Sequence, residues 1–177
     1  MDTASPADRA PTGQGTYEGT QADPPVRAAR ASDAEELVRL RAVMLGSLRP
    51  CDDDSWQPAS VAVLRERLAE PGGSLAAFVV DAPGASGVLA ACAVGTVEQR
   101  LGAPGNHAGL SGHVFSVVTD AAMRRRGYSR ACMRALLAWY RERGVVKIDL
   151  HASPEGEPLY ASLGFVRTPA PSMRLML

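Results

Sequence analysis

One stretch constrains this chain more than any other: Thr119 to Ala131, read as T-D-A-A-M-R-R-R-G-Y-S-R-A. It follows the β-branched run His113–Val118 (H-V-F-S-V-V) and opens an amphipathic helix that carries Met133, Leu136, Leu137 and Tyr140. A second apolar run, Val145–Leu150 (V-V-K-I-D-L), lies one helix further on. Two strands joined by a helical crossover pair in parallel, so this passage requires a mixed sheet with a helix across one face. The loop between the first strand and the helix is an anion-binding device. The first N–H groups of a helix lack intrahelical partners, and the macrodipole adds partial positive charge there. Gly127 tolerates positive φ and a close ligand, and Ser129 is small. The physics points to a phosphate or pyrophosphate.

Charge balance sharpens this. Lys plus Arg and Asp plus Glu each number 19, so no global basic field points to nucleic acid. The positive charge is local instead: Arg124, Arg125, Arg126 and Arg130 lie within seven residues, which suits a small anionic ligand. At 177 residues the chain fits one domain. Residues 1–25, rich in Ala, Pro, Gly, Thr and Asp, read as a disordered leader, and 26–177 as the domain. Cys51, Cys92 and Cys132 are scattered and odd in number, which suggests reduced thiols, and with no apolar span or secretory leader the expected location is cytoplasmic, away from membranes. The scattered His and Cys residues show no metal-ligand spacing, so no metal is expected.

Along the chain, Val26–Ala31 reads as a first strand. A helix capped by Ser32 with Glu35 follows, bearing Leu37, Leu40, Val43, Met44 and Leu48 at helical spacing. Arg49–Pro58 reads as a loop, Ser60–Glu70 as a helix, and Ser74–Asp81 and Val88–Leu101 as strands. Gly102–Gly109 is another loop, and Gly144 a helix C-cap. After the strand at Val145–Leu150 come a short helix over Pro154–Leu163 and strands at Gly164–Thr168 and Ser172–Leu177. The class is α+β: a mostly antiparallel sheet of six to seven strands with one parallel pair, flanked by about four helices.

The motif Arg124-x-x-Gly127-x-Ser129 resembles the Arg/Gln-x-x-Gly-x-Gly/Ala signature of the GNAT superfamily of acyl-CoA-dependent N-acetyltransferases. L-Y-A-S-L-G-F at Leu159–Phe165 resembles the Tyr-x-x-x-Gly-Phe segment of the same families. The resemblance implies a parallel pair splayed at a bulge, with acetyl-CoA in the gap. It implies that Val117, Val118 and Thr119 pair with the pantetheine, and that amides from Arg125 through Gly127 and Tyr128 to Ser129 hold the pyrophosphate, assisted by Arg124 and Arg126. Tyr128 occupies a variable position that packs. Arg130 either reaches the 3′-phosphate or stays on the surface. Tyr160 is the expected general acid, since a phenol near pKa 10 stays protonated at neutral pH and can protonate the leaving thiolate. The Val118 amide is the expected oxyanion donor.

The chain departs from the family pattern at Ser153, where many members have Asn, and at Gly156, where they have Ala. Ser153 can bond the pantetheine or cap the following helix. No glutamate lies on the motif strand, so the base stays open: His113 is the first candidate, as an imidazole that titrates near neutrality. His151, which alternation puts on one face with Lys147 and Asp149, and loss of the proton through water are the others. Asp52, Asp53, Asp54 and Glu98 read either as an acidic rim drawing cationic amines or as solvated turns. The first helix and the two loops at Arg49–Pro58 and Gly102–Gly109 are the expected acceptor cleft. The expected activity is acetyl transfer from acetyl-CoA to a primary amine of a small molecule or peptide. The alternative is an inactive acyl-CoA-binding sensor or interaction module. Pairing of two copies through Met173–Leu177 is compatible with the sequence.

Overall fold

The computed structural model of the protein describes residues 24–48, 52–169 and 171–176; the expected leader lies outside these residues save for Pro24 and Pro25. The elements are β1 (Arg27–Ala28), α1 (Ala34–Leu48), α2 (Gln57–Ala69), β2 (Leu75–Asp81), β3 (Leu89–Gln99), β4 (Leu110–Thr119), α3 (Tyr128–Glu142), β5 (Lys147–Leu150) and α4 (Glu157–Ala161). Single 3₁₀ turns precede α1 at Ala31–Asp33 and follow β4 at Ala121–Met123. The sheet runs in chain order, β1 to β5, antiparallel except for the β4–β5 pair. That parallel pair and its helical crossover are as the sequence requires.

Two apolar layers sandwich the sheet. On one face Leu37 and Leu40 of α1 pack with Leu75, Val79, Leu89, Cys92 and Val94. On the other, Cys132, Met133, Leu136 and Tyr140 of α3 pack with Ala90, Ala91, Ala93 and Val114. The alanine run on β3 keeps that face shallow, so α3 lies close with Met133, Leu136 and Tyr140 fully buried. Each such side chain contributes about 1.5–3 kcal/mol through burial. The helix stops where Gly144, at φ +70°, donates to the Arg141 carbonyl and Val145 to the Tyr140 carbonyl, 3.0 Å each. This paired C-cap turns the chain into β5.

Several boundaries differ from expectation. Asp33, not Ser32, caps the first helical turn: its carboxylate accepts the Arg30 amide at 2.7 Å and is itself held by Arg27 at 2.8 Å. Arg27 also grips Asp81 at 2.7 Å, tying β1 to the end of β2. Helix α2 begins at Gln57 because Pro58 fits the first helical turn. The expected six to seven strands are five among the described residues: 164–168 and 172–176 pair with no strand, and Leu177 lies outside the described residues. Pro169 and Pro171 lack the donors a ladder needs. Among the described residues no helix is long and apolar enough to cross a membrane.

Candidate active site

The site is a fork in the sheet. Strand β5 pairs with β4 from Ser111↔Lys147 to Val114↔Leu150 and then ends, while β4 runs on to Thr119. Just past the last pair, β4 bulges. Phe115 pairs with Val94 and Val118 with Cys92, so Ser116 and Val117 share the single partner position Ala93. Ser116 takes φ +54°, a region that serine rarely adopts. Its hydroxyl accepts a hydrogen bond from Arg41 Nη1 at 2.5 Å, and its carbonyl accepts the Cys92 thiol at 3.4 Å. Beyond the bulge, the Val118 amide faces the Cys92 sulfur and the Asp120 amide donates to the Ala90 carbonyl at 2.8 Å. Both therefore point toward β3. Alternation turns the Val117 and Thr119 amides to the open side of the fork.

The arginine loop continues from this strand. The Asp120 carboxylate accepts the Ala122 amide at 3.2 Å and receives Arg39 Nη1 at 2.8 Å, which anchors the loop to α1. Arg39 also clamps Glu36 at 2.7 Å and donates to the Leu89 carbonyl at 2.9 Å. Arg125 (φ +65°) and Gly127 (φ +77°) both take left-handed backbone, which curls the chain into the start of α3. A Cβ on Gly127 would meet no atom within 4 Å, so glycine is demanded there by conformation, and the space above it is open. The hydroxyls of Thr119 and Ser129 meet at 2.6 Å and close the base of the loop. The first backbone bond of the helix runs from Ala131 N–H to Gly127 C=O at 3.0 Å, so the amides just before it face out of the helix end. Arg124, Arg125, Arg126 and Arg130 are exposed, and none has an ion pair among the described residues. Tyr128 is half-buried against the α3 core.

At the tip of β5 the titratable residues gather. His113 pairs in register with Asp149, its ring stacks 6.1 Å from Phe115 and meets His151 edge-on at 6.1 Å. Lys147 holds Asp149 at 3.3 Å, so Lys147, Asp149 and His151 share one face as alternation requires. Tyr160, on α4, packs its ring 6.0 Å from Phe165. Its hydroxyl has no hydrogen-bond partner among the described residues, and burial pushes its pKa above the ordinary phenol value. A cavity of about 450 Å³ opens between β5 and α4, lined by Asp149, His151, Tyr160 and Phe165 among others. His151 thus touches His113 on one side and shares this cavity with Tyr160 on the other. Ser153 Oγ accepts the Gly156 amide at 3.2 Å, so it holds the turn before α4. A Cβ on Gly156 would lie 3.1 Å from the Tyr160 ring, close enough that the ring would have to shift by a few tenths of an ångström.

On the opposite face, α1 and α2 part to leave a cleft of about 330 Å³ that reaches β4 at Phe115 and Ser116. Among the described residues, neither of the loops expected to form an acceptor cleft lines it. Asp53 instead caps a local turn through Ser55 at 2.9 Å, Glu98 pairs with Arg100 at 2.7 Å, and Arg49, Pro50 and Cys51 lie outside the described residues. The cleft contains residues that the motifs did not flag: Arg41, Phe115 and Ser116. Their signals were slight, namely an arginine four residues after Leu37 on an apolar stripe, and a serine interrupting H-V-F-S-V-V. Among the described residues no three His, Cys, Asp or Glu side chains gather as metal ligands.

Comparison with known proteins agrees with this geometry. The chain is 37% identical over 101 residues to glucosamine 6-phosphate N-acetyltransferase 1 of Oryza sativa subsp. japonica, a match spanning 57% of this chain and 59% of that protein. A GCN5-related N-acetyltransferase from Ralstonia eutropha JMP134 superposes with TM-score 0.70 at 27% identity, covering 85% of this chain and 97% of that one. A predicted acetyltransferase from Clostridium acetobutylicum, solved with acetyl-CoA, shares the fold with TM-score 0.74 at 22% identity, over 86% of this chain and 95% of that one. The model of the Acetyltransferase (GNAT) family matches residues 42–165. That span holds the forked strands, the arginine loop and Tyr160, and the chain belongs to the acetyltransferase (GNAT) family.

Proposed function

We propose that this protein transfers the acetyl group of acetyl-CoA to a primary amine by direct attack in a ternary complex. The observation that carries the reading is the continuity of the fork with the loop: the bulged end of β4 leads straight into outward-facing amides and unpaired arginines. In this reading the co-substrate's pantetheine lies along Val117, Val118 and Thr119 as an added strand, and its pyrophosphate meets the amides from Arg125 to Ser129 with Arg124 and Arg126 alongside. Ser153 holds the turn that presents α4, with Tyr160 on it.

The amine nitrogen attacks the thioester carbonyl, and the oxygen that gains charge is stabilised by the Val117 amide, which faces the open fork. The excess proton on nitrogen passes to His113, directly or through water, with His151 and Asp149 next along the same face. As the C–S bond breaks, the thiolate takes a proton from the Tyr160 hydroxyl. Burial of Tyr160 supports this role by keeping the phenol protonated. Holding both reactants at the fork supplies much of the rate through proximity. The rice relative's name identifies glucosamine 6-phosphate as its acceptor, and that amine belongs in the first panel tested. We further propose pairing of two copies through the C-terminal segment, supported by the exposure of Met173, Leu175 and Met176.

The deciding experiment is titration calorimetry with acetyl-CoA followed by thiol release against amines. Binding with acceptor-dependent thiol release supports the transferase. Binding without release under any amine favours an acyl-CoA-binding module. Failure to bind at all overturns the reading.

A further inference from the structure

We propose that the cleft between α1 and α2 selects an amine that also carries an oxyanion, carboxylate or phosphate, on a largely apolar body, and that Arg41 is the residue that selects it. This rests on the acetyl-transfer reading and narrows it to a substrate class. The cleft, at about 330 Å³, suits a ligand the size of an amino acid. It ends at Ser116, in the bulge where the fork opens, so an acceptor lying in it has one end at the reaction centre.

The charge of the lining is one-sided. Arg41 and Arg67 both face the cleft, and among the described residues no carboxylate lines it. Other arginines of the same region are neutralised: Arg27 binds Asp33 and Asp81, and Arg39 binds Glu36 and Asp120. Arg41 differs. It is half-buried and has no ion pair among the described residues; its recorded contacts are the Ser116 hydroxyl at 2.5 Å and the face of Phe115 at 5.9 Å. A guanidinium offers five donors in a fixed fork, and one neutral hydroxyl leaves most of them unused. A carboxylate or phosphate takes the rest in bidentate fashion. The Ser116 contact meanwhile keeps the cation beside the bulge.

Apart from the Ser60 hydroxyl the remaining walls are apolar, Leu37, Val63, Leu64 and Phe115 among them. Ser60 gives a ring of hydroxyls a single partner, so a polyhydroxylated body would lose most of its hydrogen bonds on entry. A polycationic acceptor would meet like charge, and two of the acidic residues that would attract it, Asp53 and Glu98, are engaged elsewhere.

The test is steady-state thiol release by the full chain with matched acceptors: phenylalanine, phenylalaninamide and the phosphonate analogue of phenylalanine, beside glucosamine 6-phosphate and glucosamine. The expected result is a kcat/KM for an oxyanion form of phenylalanine roughly 10- to 100-fold above that of the amide, expressed in KM, as for a charge-assisted hydrogen bond. The carboxylate and phosphonate arms separate the two anions. Arg41→Met abolishes the preference and Arg41→Lys keeps part of it. Equal rates for acid and amide overturn the proposal. So does Arg41→Met slowing both members alike, which would make Arg41 a prop for Ser116, and so does glucosamine 6-phosphate outrunning the amino acids, which would remove the apolar body. Acetyl-CoA binding, measured on the same samples, separates the two levels. A chain that binds acetyl-CoA and acetylates other amines but no oxyanion amine sinks this proposal alone, whereas no acetyl-CoA binding, or binding with no thiol release from any amine, sinks the transferase reading first.

Discussion

The Tyr140 hydroxyl donates to the His113 carbonyl at 2.9 Å and shares its proton with the Thr96 carbonyl at 3.2 Å. One side chain of α3 therefore pins β3 to β4 beneath the candidate base. Gly95 and Gly112 create the space: a Cβ on Gly95 would collide with the hydroxyl, and one on Gly112 would come within 2.7 Å of the ring. Tyr140→Phe removes both bonds while preserving the ring, and should cost about 1–2 kcal/mol. In a chain of this size that lowers Tm by about 2–8 °C. Gly112→Ala should cost about 1–3 kcal/mol through overpacking. Thermal melts of both variants check the pair, and an unchanged Tm for Tyr140→Phe would deny the pinning role.

Tyr160 tests the chemistry. Tyr160→Phe keeps the packing against Phe165 but removes the proposed proton donor. Turnover should fall about 100-fold, in the range of general acid catalysis. Acetyl-CoA affinity and Tm should stay as in the parent. Stopped-flow thiol release beside calorimetry reads both, and an unaltered kcat would assign the proton to another group.

Arg39 tests how the loop is held. It links α1 to Asp120, whose carboxylate caps the turn leading into the arginine loop. Arg39 keeps the Asp120 carboxyl below the usual range, with the Ala122 amide assisting. A lowered folded-state value means that the contribution is present above the ordinary carboxylate pKa and is lost as pH falls through the lower one. Both side chains are about a third exposed, so solvent screens the pair. Arg39→Met should weaken acetyl-CoA binding by about 2- to 5-fold at neutral pH, as expected when a screened pair worth under about 1 kcal/mol is lost. Wild type should lose the same increment below about pH 4.

The central part of this fold was legible because its signals are local and strong. The β-branched run before Thr119, the arginine and glycine loop, the amphipathic stripe of α3 and the Gly144 stop each act over a few residues, and together they dictate the parallel pair. The fork was expected only by resemblance. Its physical marker, Ser116 at positive φ, is set by the offset between Cys92↔Val118 and Val94↔Phe115, a tertiary property that no periodicity encodes. The lining of the α1–α2 cleft was hidden for a similar reason. Arg41 reads as one polar residue on a helix until packing shows that its neighbours Arg39 and Arg27 have carboxylates and it has none. The C-terminal strands failed because Met173 and Leu175 alternate as in a strand, yet among the described residues no partner strand pairs with them.

Stability should fall on the alkaline side of pH 9, and the cause lies in the two core layers. Burial pushes the Cys92 thiol far above its ordinary value of 9.0 and the Cys132 thiol up to about 12. It likewise raises the Tyr140 phenol well beyond 10.0, although the Thr96 and His113 carbonyls bond its hydroxyl. Each group holds its proton more tightly in the folded chain than in the unfolded one. The stability they contribute is therefore complete below the unfolded values of 9.0 and 10.0, and is lost progressively as pH rises toward the folded ones. Between about pH 9 and 11 the unfolded chain sheds protons that the folded chain keeps, so urea midpoints should drop steadily with pH. Tyr140→Phe should start lower but decline less steeply above pH 10, since one of the three groups is gone. A wild-type midpoint flat to pH 11 would mean that water reaches these thiols and the phenol, contrary to their burial in the two core layers.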